Sequence, residues 1–237
     1  MRALVLKEIQ GFFSSLLGYT VVAVFLLFTS LFLWLFPGGW NILDGGMASM
    51  DPFFAMAPWV LMFLIPAITM RSFAEEHRAG TLELVLTRPL TEGQVVLAKF
   101  LGAWAVAIAA LVPTLSYVLV VGMLGRPAWN LDLGSVWGSY LGLVVFSGAL
   151  TGIGVVASSC TMQPLVAFLS AMLASIVAYF GFGALADFAW LGEWEHAFVQ
   201  LGMESHFDAM SHGRLDSRDV VYFAAWMASS VLLSRFV

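Results

Sequence analysis

Charged residues are scarce in this sequence. Only 11% of its 237 residues are Asp, Glu, Lys or Arg, whereas a soluble domain carries about 25%. Hydrophobic residues make up 61% of the chain, and the mean hydropathy is +0.92. Because a globule of this length cannot bury so much apolar surface, the composition excludes a soluble globular domain and predicts an integral membrane protein.

Cysteine and excess positive charge are also lacking. Cys160 is the single cysteine, which excludes an internal disulfide and a cysteine-rich metal site. The net charge of −5 argues against nucleic acid as a partner. A cleavable signal peptide is not expected, because the first apolar run, 12–36, is too long for the apolar region of such a peptide and no small-x-small site follows it closely.

Motifs for nucleotide binding and hydrolysis are absent. Neither of the two lysines, Lys7 and Lys99, lies in a G-x-x-x-x-G-K-[ST] loop, so the chain is not expected to bind ATP by itself. There is no H-E-x-x-H pair and no serine or cysteine in a nucleophile motif, and we expect neither an enzyme nor a cofactor in this chain. Charges within the apolar runs stand only near their ends, at Arg71, Lys99 and Arg235, which argues against an ion-coupled transporter with a buried carboxylate relay.

Long apolar runs are what the sequence has in abundance. Six of them approach or exceed the length of about 20 residues that a spanning helix needs: roughly 12–36, 53–73, 92–124, 135–158, 164–186 and 219–236. The predicted fold class is therefore all-α, a polytopic membrane protein with a single transmembrane domain over residues 1–237.

Residues at the ends of these runs favour the same boundaries. The stretch from Thr91 to Gln94 forms a capping box, Ser135 can cap the fourth helix, and Pro164 can open the fifth. Pro66 and Pro113 lie inside predicted helices, where they predict kinks whose freed carbonyls neighbouring helices can satisfy.

The basic residues predict the orientation of the chain. With the N-terminus in the cytoplasm, seven of the ten Lys and Arg residues lie inside, and only Arg126, Arg214 and Arg218 lie outside, as the positive-inside rule requires. Both termini are then cytoplasmic. Residues 1–10 are weakly amphipathic, and two interpretations stay open: a short interfacial helix, or a plain basic flank that fixes the topology.

The segment 187–216 mixes aromatic and acidic residues, which predicts one or two short helices at the outer interface before the last span. Glu204, Asp208 and His212 are spaced i, i+4 and i+8 and would share one helix face. No metal site is predicted, and these three residues are named only as candidates for one. This face could hold a divalent cation with His206 nearby, or it could be the solvent-exposed face of an interfacial helix.

A charged, amphipathic segment, 75–89, interrupts the apolar sequence between the second and third spans. Gly80 breaks the chain there, and the following residues predict a short helix whose apolar face carries Leu82, Val85 and Leu86. Such a face suits docking to a soluble partner, which a chain without its own ATP site would need. The alternative is a loop that only fixes the topology.

At these residues the sequence resembles the membrane subunits of ABC-2 type ABC transporters, most closely the gliding-motility-associated permease family. The likeness rests on residues 43–104, which include the pattern E-E-x-x-x-G-T-L-E-L, and on the runs 4–36 and 206–223. The resemblance implies a coupling helix that contacts an ATPase. Its predicted residues are Glu75, Glu76, Arg78, Gly80, Thr81, Leu82, Glu83, Val85, Leu86, Arg88 and Pro89.

The same resemblance implies the partners and the compartment. Two permease subunits, identical or related, would pair with two separate ATPase subunits that bind ATP and Mg²⁺ in a bacterial inner membrane, among its lipids. The complex would export a lipidic, polymeric or hydrophobic substrate. Glu76 and Glu83 are expected to pair with basic residues of the ATPase. Two alternatives are a permease of the copper-centre maturation type and a non-transporting scaffold that moves a periplasmic protein mechanically.

Overall fold

The structure, a computed structural model, describes residues 1–80, 91–186, 195–214 and 216–236, and this part of the chain is helical without a strand. The all-α fold class is confirmed. The helices are α1 (Arg2–Phe13), α2 (Leu16–Trp34), α3 (Asp51–Thr69), α4 (Ala74–Ala79), α5 (Glu92–Leu111), α6 (Leu115–Leu124), α7 (Leu133–Ser159), α8 (Pro164–Ile176), α9 (Phe182–Ala186), α10 (Glu195–Leu201), α11 (Met203–Ser211) and α12 (Ser217–Leu233).

Five helical stretches of the described chain are long and apolar enough to cross a membrane. They are Leu16–Trp34, Asp51–Ala79, Glu92–Leu124, Leu133–Ser159 and Pro164–Ala186. Each corresponds to one of the six predicted spans. The remaining predicted span, 219–236, corresponds to α12, whose 17 residues lie at the short end of the range for a spanning helix, so the sixth span stays a prediction.

The first predicted span begins later than expected because the chain breaks at Ser15. The Ser15 hydroxyl donates to the carbonyl oxygen of Phe12 (2.8 Å) and accepts from the backbone N–H of Gly18 (3.1 Å), which satisfies one group at the end of α1 and one at the start of α2. A Cβ atom on Gly18 would overlap the Phe12 carbonyl. Residues 2–13 therefore form a helix of their own, as one of the two interpretations of the N-terminus predicted.

The observed helix caps and kinks match those predicted from the sequence only in part. The side chain of Gln94 accepts the backbone N–H of Thr91 at 3.3 Å, as the capping box predicts. The prediction of Ser135 as an N-cap is wrong: Asp132 accepts the N–H groups of residues 134 and 135 instead. A 3-10 turn, Val112–Thr114, contains Pro113 and joins α5 to α6, whereas α3 continues unbroken through Pro66.

Helix α7 lies at the centre of the bundle, where it packs against α3, α5, α8, α11 and α12. Glycines on its faces allow these helices to come close. A Cβ atom on Gly142 would lie 2.8 Å from Cβ of Met210 on α11, and one on Gly152 would lie 2.7 Å from Cβ of Ser230 on α12.

The long helices alternate in direction, and this alternation gathers the charges at two ends. We call the end with Lys7, Arg71 and Lys99 the basic end, because these residues line one cavity of about 290 Å³. The opposite, acidic end has Asp51, Glu204 and Asp208 around a cavity of about 500 Å³. The cytoplasmic location of the basic end remains a prediction.

The close approach of α3 and α7 at Gly154 predicts a specific instability. A methyl group there would overlap the Thr69 side chain, whose Cβ lies 2.9 Å from its position. We expect Gly154→Ala to lower the unfolding free energy by about 1–3 kcal/mol, measured by thermal unfolding in detergent. The matched control is Gly11→Ala on α1, where nothing lies within 4 Å of the added atom. Equal stability of the two variants would contradict this packing.

The predicted orientation is tested by labelling cysteines with an impermeant maleimide. The native Cys160 is exposed and follows the last residue of α7 at the basic end. It should label only after the membrane is permeabilised, whereas Asn130→Cys in a Cys160→Ser background should label in intact spheroplasts. The reverse pattern would invert the topology.

Candidate functional site at the basic end of the bundle

A buried lysine organises the basic end. Lys99 lies on α5 and is 2% exposed. Its ammonium nitrogen is 2.9 Å from Glu76 Oε2 and 3.3 Å from Glu8 Oε1, and it donates to the carbonyl oxygen of Ser72. Since an ammonium group has three donors, three acceptors in range can satisfy it. The ring of Phe73, with its centroid 4.9 Å away, adds a cation–π contact.

Four chain segments therefore meet at one charge. Glu8 comes from α1, Ser72 from the turn after α3, Glu76 from α4, and Lys99 itself from α5. Helix α1 can approach because α5 carries a glycine opposite it: a Cβ atom on Gly102 would lie 2.7 Å from Cβ of Glu8. A buried charge needs such partners, since desolvation without them costs several kcal/mol.

Helix α4 is held from the other side by α7. The hydroxyl oxygen of Ser158 accepts the backbone N–H groups of Phe73 (3.0 Å) and Ala74 (3.1 Å), and it donates to the carbonyl oxygen of Met70 (3.3 Å). A serine from a neighbouring helix thus satisfies donors at the start of α4 that have no partner within the helix. The first turn also carries two acidic residues, which the helix dipole favours.

The end of α4 matches the predicted chain break. Gly80 has φ = +64°, a left-handed conformation that glycine adopts without steric cost. Its backbone N–H donates to the carbonyl oxygen of His77 at 3.2 Å. The coupling segment predicted from the sequence, 75–89, therefore begins within α4, a helix that both α5 and α7 anchor.

The predicted coupling residues divide into three groups. Glu75 pairs with Arg71 at 3.7 Å on the surface, and Arg78 is exposed. Glu76 faces inward to Lys99 and lies 4.0 Å from Lys7, which differs from the expectation that it meets a basic residue of the ATPase. The rest lie outside the described residues: Thr81, Leu82, Glu83, Val85, Leu86, Arg88 and Pro89.

Sequence reasoning missed Glu8, Ser72 and Ser158 as members of this site. The available signal was Lys99 itself, the one lysine within a predicted span, which had to find partners wherever the fold brought them. No sequence spacing links it to Glu8, which lies 91 residues earlier.

The residues predicted at the acidic end come together only in part. Glu204, Asp208 and His212 line the same cavity, but His206 turns away from it toward Asp219, with 2.6 Å between His206 Nδ1 and Asp219 Oδ1. Within the described part of the chain, no three His, Cys, Asp or Glu side chains are grouped so that they could hold a metal ion. The short helices predicted before the last span are present as α10 and α11.

Comparison with known proteins finds a family match that includes much of the basic end. The model of the family described as ABC-2 family transporter protein matches residues 44–194, more than half of the chain. No curated protein matches the sequence. The matched range contains Glu76, Lys99, Ser158 and the whole segment 75–89, while Glu8 lies before it. The chain belongs to the ABC-2 transporter family, whose members are multi-pass membrane subunits of ABC transporters and work with an ATPase partner.

Proposed function

We propose that this chain is the permease subunit of an exporter for a lipidic, polymeric or hydrophobic substrate in a bacterial inner membrane, as a pair of identical or related subunits. A separate ATPase subunit would dock on residues 75–89 and drive the transport. The observation that carries this proposal is the junction of α1, α4 and α5 at Lys99, backed by the Ser158 contact from α7.

This junction is suited to pass movement from a docked partner to the bundle. A displacement of residues 75–89 would move α4, because residues 75–79 of the segment belong to that helix. Helix α4 is tied to α5 through Glu76 and Lys99 and to α7 through Ser158. Since packed interiors deform in discrete steps, a push at this point would move several helices together.

In the scaffold alternative, movement would pass through the same junction to a periplasmic protein instead of to a transported substrate. In a transporter, the hydrophobic substrate should stimulate the ATPase when the complex is reconstituted in liposomes. In a scaffold, a periplasmic protein alone should do so. No observation on the described residues favours a permease of the copper-centre maturation type.

The first prediction concerns docking. Leu82→Ala combined with Leu86→Ala should weaken association with the ATPase by about 2 kcal/mol or more, because truncating buried anchors commonly costs that much, and transport should be lost. Association is measured by co-purification and transport in liposomes. The matched control replaces two exposed leucines of α6, Leu119 and Leu124, with alanine. If the Leu82/Leu86 variant co-purifies and transports like this control, the segment serves topology only.

The second prediction separates stability from coupling at Lys99. Lys99→Met should lower the unfolding free energy by about 3–5 kcal/mol, because Glu8 and Glu76 would lose the buried positive charge that they share. Adding Glu8→Gln and Glu76→Gln should restore most of this loss, measured by thermal unfolding. We expect the triple variant to fold but to lose substrate-stimulated ATPase activity. If the substrate stimulates the ATPase of the triple variant as strongly as that of the wild type, the Lys99 network has only a structural role.

A further inference from the structure

The cavity of about 500 Å³ at the acidic end has no part in the coupling proposed above. Its described lining contains the carboxylates of Asp51, Glu204 and Asp208 and no lysine or arginine. His212 is the one lining residue there that can carry a positive charge, and it is exposed beside Asp208, with 3.9 Å between Nδ1 and Oδ1. An exposed pair of this kind contributes little, so the described lining carries more negative than positive charge and favours a cation over an anion.

Aromatic rings form the inner wall of this cavity. The rings of Trp59 and Phe180 lie tilted to each other with centroids 4.6 Å apart, and Tyr179 meets Phe180 edge-on at the same distance. Tyr179 and Phe180 lie on a π-helical turn, Val177–Gly181, between α8 and α9, a type of distortion that is frequent at functional sites. Ring faces beside carboxylates favour an organic cation, because the cation gains attraction from both.

The hydroxyl group of Tyr179 supports a ligand at this wall. Tyr179 is 7% exposed, and its residual surface lines the cavity. Among the described residues its hydroxyl has no hydrogen-bond partner, whereas buried tyrosine hydroxyls usually find one. A polar group that enters the cavity could supply it.

An apolar groove continues from the acidic cavity along α3. It measures about 600 Å³, and its lining is apolar apart from Thr20. Trp59 lines both the cavity and the groove, and Ala67 lines both the groove and the cavity at the basic end. Helix α3 therefore borders a series of three neighbouring spaces from one end of the bundle to the other.

We propose that the acidic cavity and the groove together bind a cationic amphiphile, with an amine or quaternary ammonium headgroup between Glu204, Asp208 and the aromatic wall and an alkyl chain along Phe28, Val60 and Phe63. The inference rests on the proposed function, since it narrows the exported substrate to this chemical class. A cavity of this volume suits an organic headgroup, and the lining of the groove, apolar apart from Thr20, suits a hydrocarbon chain.

A second copy of this chain is the other occupant that the groove could take. Charge argues against it: in a two-fold pair whose axis crosses the membrane, both acidic ends lie at the same membrane face. The copy would then bring further carboxylates to the cavity, whereas an ammonium headgroup neutralises those already present.

The test measures binding of tritiated dodecyltrimethylammonium to the full chain, without ATPase, in phosphatidylcholine nanodiscs, with empty nanodiscs subtracted. We expect saturable binding that dodecanoate, an anion with a similar chain, does not displace. Glu204→Gln with Asp208→Asn should weaken binding about tenfold or more, as loss of two charge partners predicts. The control Asp44→Asn removes an exposed carboxylate that does not line the cavity and should leave binding unchanged.

Trp59, which lines both the cavity and the groove, offers a second, independent comparison. Trp59→Leu should weaken binding, whereas Trp137→Leu, which changes an exposed tryptophan outside the cavity, should not. Wild-type binding in the Glu204/Asp208 variant, or equal binding of dodecanoate, would overturn the proposal. So would efficient cross-linking of two copies through Phe63→Cys, in a Cys160→Ser background, that the amine fails to inhibit.

Failure of this inference is distinguishable from failure of the proposed function. If the amine does not bind but another hydrophobic compound stimulates the ATPase in the reconstituted complex, the inference alone fails. If the amine binds as expected and no substrate stimulates the ATPase, the permease proposal fails and the binding site stands.

Discussion

The ammonium group of Lys99 constrains the basic end more than any other group in the described chain. A charge that is 2% exposed within an apolar bundle must be paired and fully hydrogen-bonded, or its desolvation dominates the local free energy. Its acceptors come from three segments that precede α5 in the sequence. Meeting this one requirement therefore fixes where α1 lies, how the chain turns after α3, and which way α4 presents its acidic face.

The packing of α7 makes that arrangement possible. Glycine at position 154 lets α3 approach closely enough for Ser158, about one helical turn later, to reach the backbone at the start of α4. The polar contact thus depends on the apolar one, because a hydroxyl can accept these N–H groups only if the helices nearly touch. Between membrane helices, where hydrophobic association is weak, small residues and short polar contacts together supply the stability.

Much of the architecture could be predicted from the sequence, because long apolar runs leave few alternatives in a membrane. Five spans, the capping box at Thr91 and the break at Gly80 follow from composition and local chemistry. The separate helix α1 could be named only as one of two possibilities, since its stability depends on contact with α5. The partners of Lys99 could not be predicted, because Glu8 and Glu76 are brought to it by tertiary packing rather than by sequence spacing. Glu76 shows the difficulty well: an acidic residue in a charged segment suggests an exposed contact, yet Glu76 pairs with the buried Lys99 of the same chain.

The two ends of the bundle use charge in opposite ways, and α3 connects them. At the basic end, opposite charges are close enough to neutralise one another, and their effect is to fix helices in place. At the acidic end, three carboxylates line a cavity without a lysine or arginine among its described residues, so a molecule that enters meets more negative than positive charge there. Helix α3 begins beside the acidic cavity at Asp51 and ends next to the turn that Lys99 holds through Ser72. A movement imposed on that turn would be carried along a continuous helix to the wall that contains Trp59. Because rigid helices transmit displacement over their whole length while side-chain contacts relax within a few ångströms, α3 is the element best suited to link the two ends.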